Sequence, residues 1–189
     1  RFLTRTNGNV GRVASAGSEA ANAYVNKGIM KEAVVMQMTW PGAPTLYYGD
    51  EAGLCGWTDP DNRRTYPWGR EDIELIEFHR DAISIHKHNK ALKKGSFKAL
   101  LGDYNIIAYG RFLEENIIAV ALNNNGVERE IRIPVWQLGV RDDDIMESLM
   151  ISQKDFYNVG KMEYKIQNGD LVVSLPAFGA GIFRKKIVV

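Results

Sequence analysis

Between Ile29 and Thr39 the apolar residues Ile29, Met30, Ala33, Val34, Met36 and Met38 recur at mostly helical spacing, and Pro41-Gly42 stops the pattern. A helix is predicted to end there. The alanine-rich stretch before it, Val10 to Val25, is broken by Gly11 and Gly17 and has room for one or two short helices. Thr45-Leu46-Tyr47-Tyr48-Gly49 is short, rich in β-formers and bounded by Pro44 and Gly49, which predicts a buried strand. From Glu71 to about His88 a second helix is predicted. It has Leu75, Ile76, His79, Ala82, Ile83 and His86 along one face and acidic Glu71, Asp72 and Glu74 in its first turn.

At Gly95 the period changes from helical to two. Met162, Tyr164 and Ile166 alternate with polar neighbours, and Asn168-Gly169 turns the chain toward Leu171, Val173 and Leu175, which predicts a hairpin. Ile131, Ile133 and Val135 alternate likewise. Runs from Ile106 to Phe112, Ile117 to Leu122 and Phe178 to Lys185 bring the expectation to about eight antiparallel strands in a sandwich. Two units are therefore expected, residues 1–94 and 95–189.

Composition narrows the function. The 24 basic and 23 acidic residues leave a formal net charge of +1, so nothing resembles the positive field that nucleic acid rewards. No apolar run approaches the ~20 residues needed to cross a bilayer, which argues against a membrane partner. The single cysteine, Cys55, excludes an internal disulfide framework and a multi-cysteine zinc site, and leaves a lean toward the cytoplasm. The chain opens Arg1-Phe2-Leu3 without a methionine or a signal-like apolar stretch, which leads to the expectation that polypeptide precedes it. Oligomeric state is not legible.

The segment from Gly53 to Gly69, rich in glycine, proline, aspartate, arginine and tryptophan, is the candidate site. Asp59-Pro60-Asp61-Asn62-Arg63-Arg64 begins like a calcium loop but has Arg64 where glycine is needed and Arg70 where a bidentate glutamate is needed. No metal is assigned. What remains is a turn that presents carboxylates and guanidiniums together, able to offer charge-assisted hydrogen bonds to a neutral polyol such as a sugar, or else to serve as a surface ion-pair loop. Trp57, Tyr66 and Trp68 flank it as amphipathic rings suited to stacking on a sugar face, although core packing is the commoner fate of a single tryptophan. Asp50 and Glu51 look like the paired carboxylates of glycoside hydrolysis, but neighbours on a strand point to opposite faces, so they are not expected to form an acid/base couple. His79, His86 and His88 read as packed or capping residues, and Asp142-Asp143-Asp144 as a solvated loop.

The run Pro41-Gly42-Ala43-Pro44-Thr45-Leu46-Tyr47-Tyr48-Gly49-Asp50-Glu51-Ala52-Gly53, followed by Asp59-Pro60-Asp61-Asn62-Arg63-Arg64-Thr65-Tyr66-Pro67-Trp68, closely resembles the α-amylase family of glycoside hydrolases. It is most similar to the neopullulanase, cyclomaltodextrinase and maltogenic amylase branch. The resemblance implies an α/β plus all-β fold, with a C-terminal segment of a (β/α)8 TIM barrel followed by the antiparallel β-sandwich. Arg1 to Arg5 resembles the end of barrel strand seven, Thr45 to Asp50 strand eight, and Glu71 to about His88 helix eight. The Ser-Leu-Pro-Ala-Phe-Gly run from Ser174 also resembles the family.

By that resemblance the parent is a retaining hydrolase of starch-derived α-glucan oligosaccharides. Its aspartate nucleophile, glutamate acid/base and second aspartate are expected before the residues matching Arg1. No catalytic residue and no cofactor is therefore assigned in this chain, and it is expected to be inactive without the N-terminal part of the enzyme. Asp59 and Arg63 match the family's substrate-contacting turn, and Trp57 is added as a third substrate-binding candidate. The alternative is a non-catalytic carbohydrate-binding or interaction module built on the sandwich with a helical extension.

Overall fold

The computed structural model describes residues 11–187. Helices come first and strands follow: α1 (Val13–Ala16), a 3-10 turn (Glu19–Asn22), α2 (Lys27–Thr39), α3 (Ile73–His88) and α4 (Lys90–Lys94). They precede β1 (Ser96–Asp103), β2 (Ile106–Leu113), β3 (Asn116–Asn123), β4 (Arg129–Ile133) and β5 (Ile145–Ser152). The chain continues through β6 (Tyr157–Asn158), β7 (Glu163–Lys165), β8 (Leu171–Leu175) and β9 (Gly179–Lys185). The ends of α2 and α3 follow the side chains. Asn26 caps α2 by accepting from the Gly28 N–H at 3.0 Å, and Asp72 caps α3 by accepting from Leu75 at 3.1 Å. Capping by Asp72 moves the start of α3 two residues past the expected Glu71.

Seven strands form an antiparallel sheet in the order β1-β2-β3-β9-β5-β6, with β7 also pairing with β5, while β4 and β8 form a separate two-stranded sheet. The large sheet is covered on both faces. Ala119, Ala121, Met146 and Phe183 face Ile131, Ile133, Leu171 and Val173 of the small sheet. On the other face Ile118, Val120, Met150 and Ile182 pack against Val34, Val35 and Met38 of α2, Leu75, Phe78 and Ala82 of α3, and Leu92 of α4. This double cover explains why β3 reads as a continuous apolar run instead of alternating. Each of the larger side chains, valine, leucine, isoleucine, methionine or phenylalanine, contributes about 1.5–3 kcal/mol when removed from water.

Charged residues bind the helices to the sheet. Arg111 on β2 is buried and donates to the carbonyls of Thr39 at 2.8 Å, Gly95 at 3.0 Å and Ser96 at 3.4 Å. Gly95 is the crossing point. A Cβ there would lie 2.4 Å from the Ala91 carbonyl oxygen and 2.7 Å from that of Phe112. Lys31 of α2 is also buried, donating to Glu74 at 2.6 Å and to the carbonyls of Gln153 and Lys154 at 3.3 Å.

Two local expectations need correction. The predicted strand over Thr45–Gly49 is not formed: residues 43–47 are irregular, and a turn follows in which Gly49 has φ 87°. A strand needs a neighbour to pair with, and none lies beside this segment among the described residues. The Asn168-Gly169 turn is present, closed by reciprocal bonds between Gln167 and Asp170 at 2.9 and 3.1 Å. The strands it joins do not form a hairpin, because β7 pairs with β5 and β8 with β4. Ile166 and Leu171 both enter the core between the sheets, so the chain crosses from one sheet to the other at this turn. The resemblance of Arg1 to Arg5 to the end of barrel strand seven lies outside the described residues.

Candidate functional site

The turn from Thr58 to Tyr66 is tied down by its own backbone and by residues far away in sequence. Asp61 N donates to Thr58 O at 2.8 Å and Arg63 N to Pro60 O at 3.0 Å, around a cis Asp59–Pro60 bond. The segment beneath lies so close that a Cβ on Gly56 would sit 2.7 Å from the Asn62 Cα. Glycine is required there for the two backbones to touch.

The four charged residues of the turn divide into two pairs with different surroundings. Asp61 and Arg64 anchor it. Asp61 accepts from Arg12 Nε at 2.6 Å and from the Val13 N–H at 3.1 Å, and the Arg12 guanidinium holds its carboxyl below the usual range. Arg64 points back toward the protein, donating to Cys55 O at 2.9 Å, Asn22 Oδ1 at 3.3 Å and Glu19 Oε1 at 2.7 Å. Asp59 and Arg63 instead point outward. Arg63 donates from Nε to Asp59 Oδ1 at 3.0 Å and from Nη2 to Oδ2 at 3.2 Å, a two-point pair in which both side chains are more than half exposed. The pair uses two of the five guanidinium N–H groups and orients the planar fork.

Aromatic residues around the turn are not placed as the sequence pattern implies. Trp57 is only 4% exposed, its indole N–H donates to Gly17 O at 2.8 Å, and it packs with Ala21 and Cys55. Its ring is part of the turn's foundation and offers no face to a ligand. The open rings are Trp68, 79% exposed and tilted against Tyr66 with ring centres 4.5 Å apart, and the neighbours Tyr47 and Tyr48, 55% and 46% exposed with ring centres 4.8 Å apart. Tyr48 also donates to Arg64 O at 2.9 Å, which joins this aromatic pair to the turn. Sequence reading placed Tyr47 and Tyr48 in a buried strand and so missed them as surface rings. Their adjacency to proline and glycine on both sides was the available signal.

A cleft of about 600 Å³ opens on the inner side of the turn, with Arg64, Glu19, Asn22, Lys27, Arg70 and Asp72 among its walls. Asp50 and Glu51 do not meet as an acid/base couple. Glu51 accepts from the Gly49 N–H at 3.0 Å, while Asp50 is half-buried and loss of solvent raises its carboxyl above the usual range. The histidines bond backbone carbonyls: His79 to Leu75 at 2.7 Å, His86 to Met38 at 2.7 Å and His88 to Ser84 at 2.8 Å. Asp142 and Asp143 lie exposed in a turn between strands, as expected of a solvated loop, and Asp142 accepts from Gly169 N and Asp144 from Arg141 N. The site's resources are thus hydrogen-bonding charges and exposed rings, suited to holding a hydroxylated neutral ligand.

The chain has relatives among known proteins. An amylopullulanase from Thermoanaerobacterium thermosulfurigenes is 34% identical over 159 residues, covering 78% of this chain and 8% of that protein. A cyclomaltodextrinase from Thermoanaerobacter pseudethanolicus is 37% identical over 133 residues, covering 69% of this chain and 20% of that protein. Among solved structures a cyclomaltodextrinase superposes with a TM-score of 0.64 at 31% identity, covering 85% of this chain and 26% of the other. No family model matches the chain. The chain therefore spans a small part of the length of these relatives.

Proposed function

We propose, from a chain that belongs to the α-amylase family of glycoside hydrolases, that it serves a retaining hydrolase of starch-derived α-glucan oligosaccharides by supplying a substrate-binding turn and a C-terminal β-domain. Residues 1–94, with α2 and α3, correspond in this reading to the end of a catalytic (β/α)8 barrel. Residues 95–189 form the β-sandwich domain that follows it. The observation that carries the reading is the outward-facing Asp59–Arg63 pair, held at two points by its own geometry and from below by Asp61 and Arg64.

In this role Arg63 and Asp59 bind sugar hydroxyls and catalyse nothing themselves. Each charge-assisted bond contributes about 1.5–3 kcal/mol, and binding energy away from the reacting bond also orients it, so turnover and affinity both depend on the turn. Trp57 acts as scaffold, and the stacking role passes to the exposed rings beside the turn. The nucleophile and acid/base belong to the N-terminal part of the enzyme, and residues 1–189 alone are inactive.

The test is steady-state kinetics of the complete enzyme on a series of maltooligosaccharides. Changing Arg63→Ala lowers kcat/KM by roughly 10–100-fold, the loss of one charged hydrogen bond. Lysine restores only part of it, because a point charge does not reproduce a planar fork. An Arg63→Ala enzyme with unchanged kcat/KM at every chain length shows that the turn is a surface ion pair and refutes the role.

A further inference from the structure

Helices cover one face of the large sheet, and the small sheet covers the other. On that second side, just after β4, the chain makes a single 3-10 turn, Val135–Leu138. Val135 and Leu138 enter the core between the sheets, while Trp136 between them is 60% exposed. Tryptophan is highly buried on average, so a ring left in water here calls for a reason.

Trp136 is exposed but held. Its backbone N–H donates to Gly169 O at 2.9 Å, and its carbonyl accepts from Gly139 N at 3.0 Å. The Asn168-Gly169 turn packs against the side chain so closely that a Cβ on Gly169, where φ is 82°, would sit 2.9 Å from Trp136 Cδ1 and 3.2 Å from Cγ. That turn is fixed in its own right by Asp142, whose Oδ1 accepts from the Gly169 N–H at 2.6 Å. Two turns from distant parts of the chain thus hold one ring at the surface. Folding has already met the cost of ordering it, which favours whatever binds there.

We propose that Trp136 is the platform of a second sugar site, on the β-domain and apart from the Asp59–Arg63 turn, which holds one glucose ring of an α-glucan chain. The inference rests on the reading that the chain serves a glucan hydrolase. Its surroundings select a sugar over a protein partner. The apolar residues nearest in the two turns, Val135, Leu138, Val140, Ile166 and Leu171, are all buried, so Trp136 has no exposed apolar patch around it. A protein interface needs roughly 800 Å² on each side with an apolar centre. The exposed residues beside the ring are instead Asp142, Gln167 and Asn168, which bond hydroxyl groups. Asp142 gives Oδ1 to Gly169 and has a second oxygen to offer. One fixed ring rimmed by such groups fits the flat C–H face and hydroxyl edge of a pyranose. A long glucan held here stays at high local concentration for the rest of the enzyme.

The test is adsorption of the full-length protein to granular starch, comparing wild type, Trp136→Ala and Trp136→Phe. Alanine weakens adsorption by roughly 3–10-fold, the worth of one stacked ring, and phenylalanine recovers most of it. Equal adsorption of all three overturns the inference. A second measurement uses wild type alone, so it does not depend on a variant folding. Brief hydroxyl-radical oxidation followed by peptide mapping is carried out in maltoheptaose and in an equal mass of a fructan oligosaccharide, which scavenges radicals alike but whose furanose rings lack the flat pyranose face. Protection of Trp136 by maltoheptaose alone supports the site. Protection by both sugars, or by neither, overturns it. Hydrolysis of maltotriose judges the function reading separately. A protein that hydrolyses it while Trp136 is unprotected keeps the function and loses the site. One that hydrolyses no α-glucan while maltoheptaose protects Trp136 does the reverse.

Discussion

In residues 1–189 taken alone, Glu32 makes folding stability depend on pH in a direction that can be worked out beforehand. Its carboxyl is pushed from 4.5 up to about 8 by burial, with no cation or donor bonded to Oε1 to offset the loss of water. A group whose folded pKa lies above its unfolded value contributes stability that is complete below the unfolded value and is lost as pH rises through the folded one. The window is therefore pH 4.5 to 8. At 1.36 kcal/mol per pH unit the full span corresponds to at most about 5 kcal/mol, a large share of the roughly 5–15 kcal/mol typical of a domain. Urea unfolding of wild type and Glu32→Gln at intervals from pH 5 to pH 9 measures it. Glutamine has no proton to lose, and every other titrating group is common to both proteins, so the difference between the two curves isolates Glu32. The expected result is a gap that moves steadily in favour of the variant by about 2–5 kcal/mol as pH rises. Parallel curves, with the gap constant from pH 5 to pH 9, refute the assignment of an unpaired buried carboxyl.

Other sites give independent tests. Replacing Arg111→Met removes the donor from three backbone carbonyls where helices meet sheet, and urea unfolding is expected to show a loss of roughly 3 kcal/mol; an unchanged midpoint means those carbonyls are satisfied by water. Trp57→Phe in the complete enzyme removes the indole bond to Gly17 O and lowers Tm while KM on maltooligosaccharides stays the same. A raised KM with unchanged Tm returns Trp57 to the substrate. Purified residues 1–189 incubated with starch, pullulan or cyclodextrin are expected to release no glucose or maltose, and release abolished by changing Asp50 or Glu51 overturns that expectation.

What the sequence discloses is what its neighbours along the chain decide. The helices α2 and α3 follow from apolar spacing and from Asn26 and Asp72, which cap them from two or three residues away. The switch to strands beside Gly95 and the turn at Asn168-Gly169 are equally local. Pairing is decided elsewhere. Tyr47 and Tyr48 have strong β preference and no strand beside them among the described residues, so propensity alone misplaces both rings. The two sides of the Asn168-Gly169 turn look like a hairpin, yet each finds its partner in a different sheet.

The charged residues hide most. Lys31, Glu32 and Arg111 are of residue types found mostly at the surface, yet all three are buried, because what covers them comes from residues distant in sequence. Lys31 and Arg111 have found their partners in Glu74 and in backbone carbonyls up to 123 residues away. Within the turn the same distinction separates two readings that sequence spacing leaves equal. Asp61 and Arg64 are used up by Arg12, Cys55 and Glu19, whereas among the described residues Asp59 and Arg63 pair with each other and face outward. The four charged residues of one six-residue motif thus divide between anchoring and presentation. A mutation at Arg64 should accordingly lower stability and kcat/KM together, while one at Arg63 lowers kcat/KM and leaves stability unchanged.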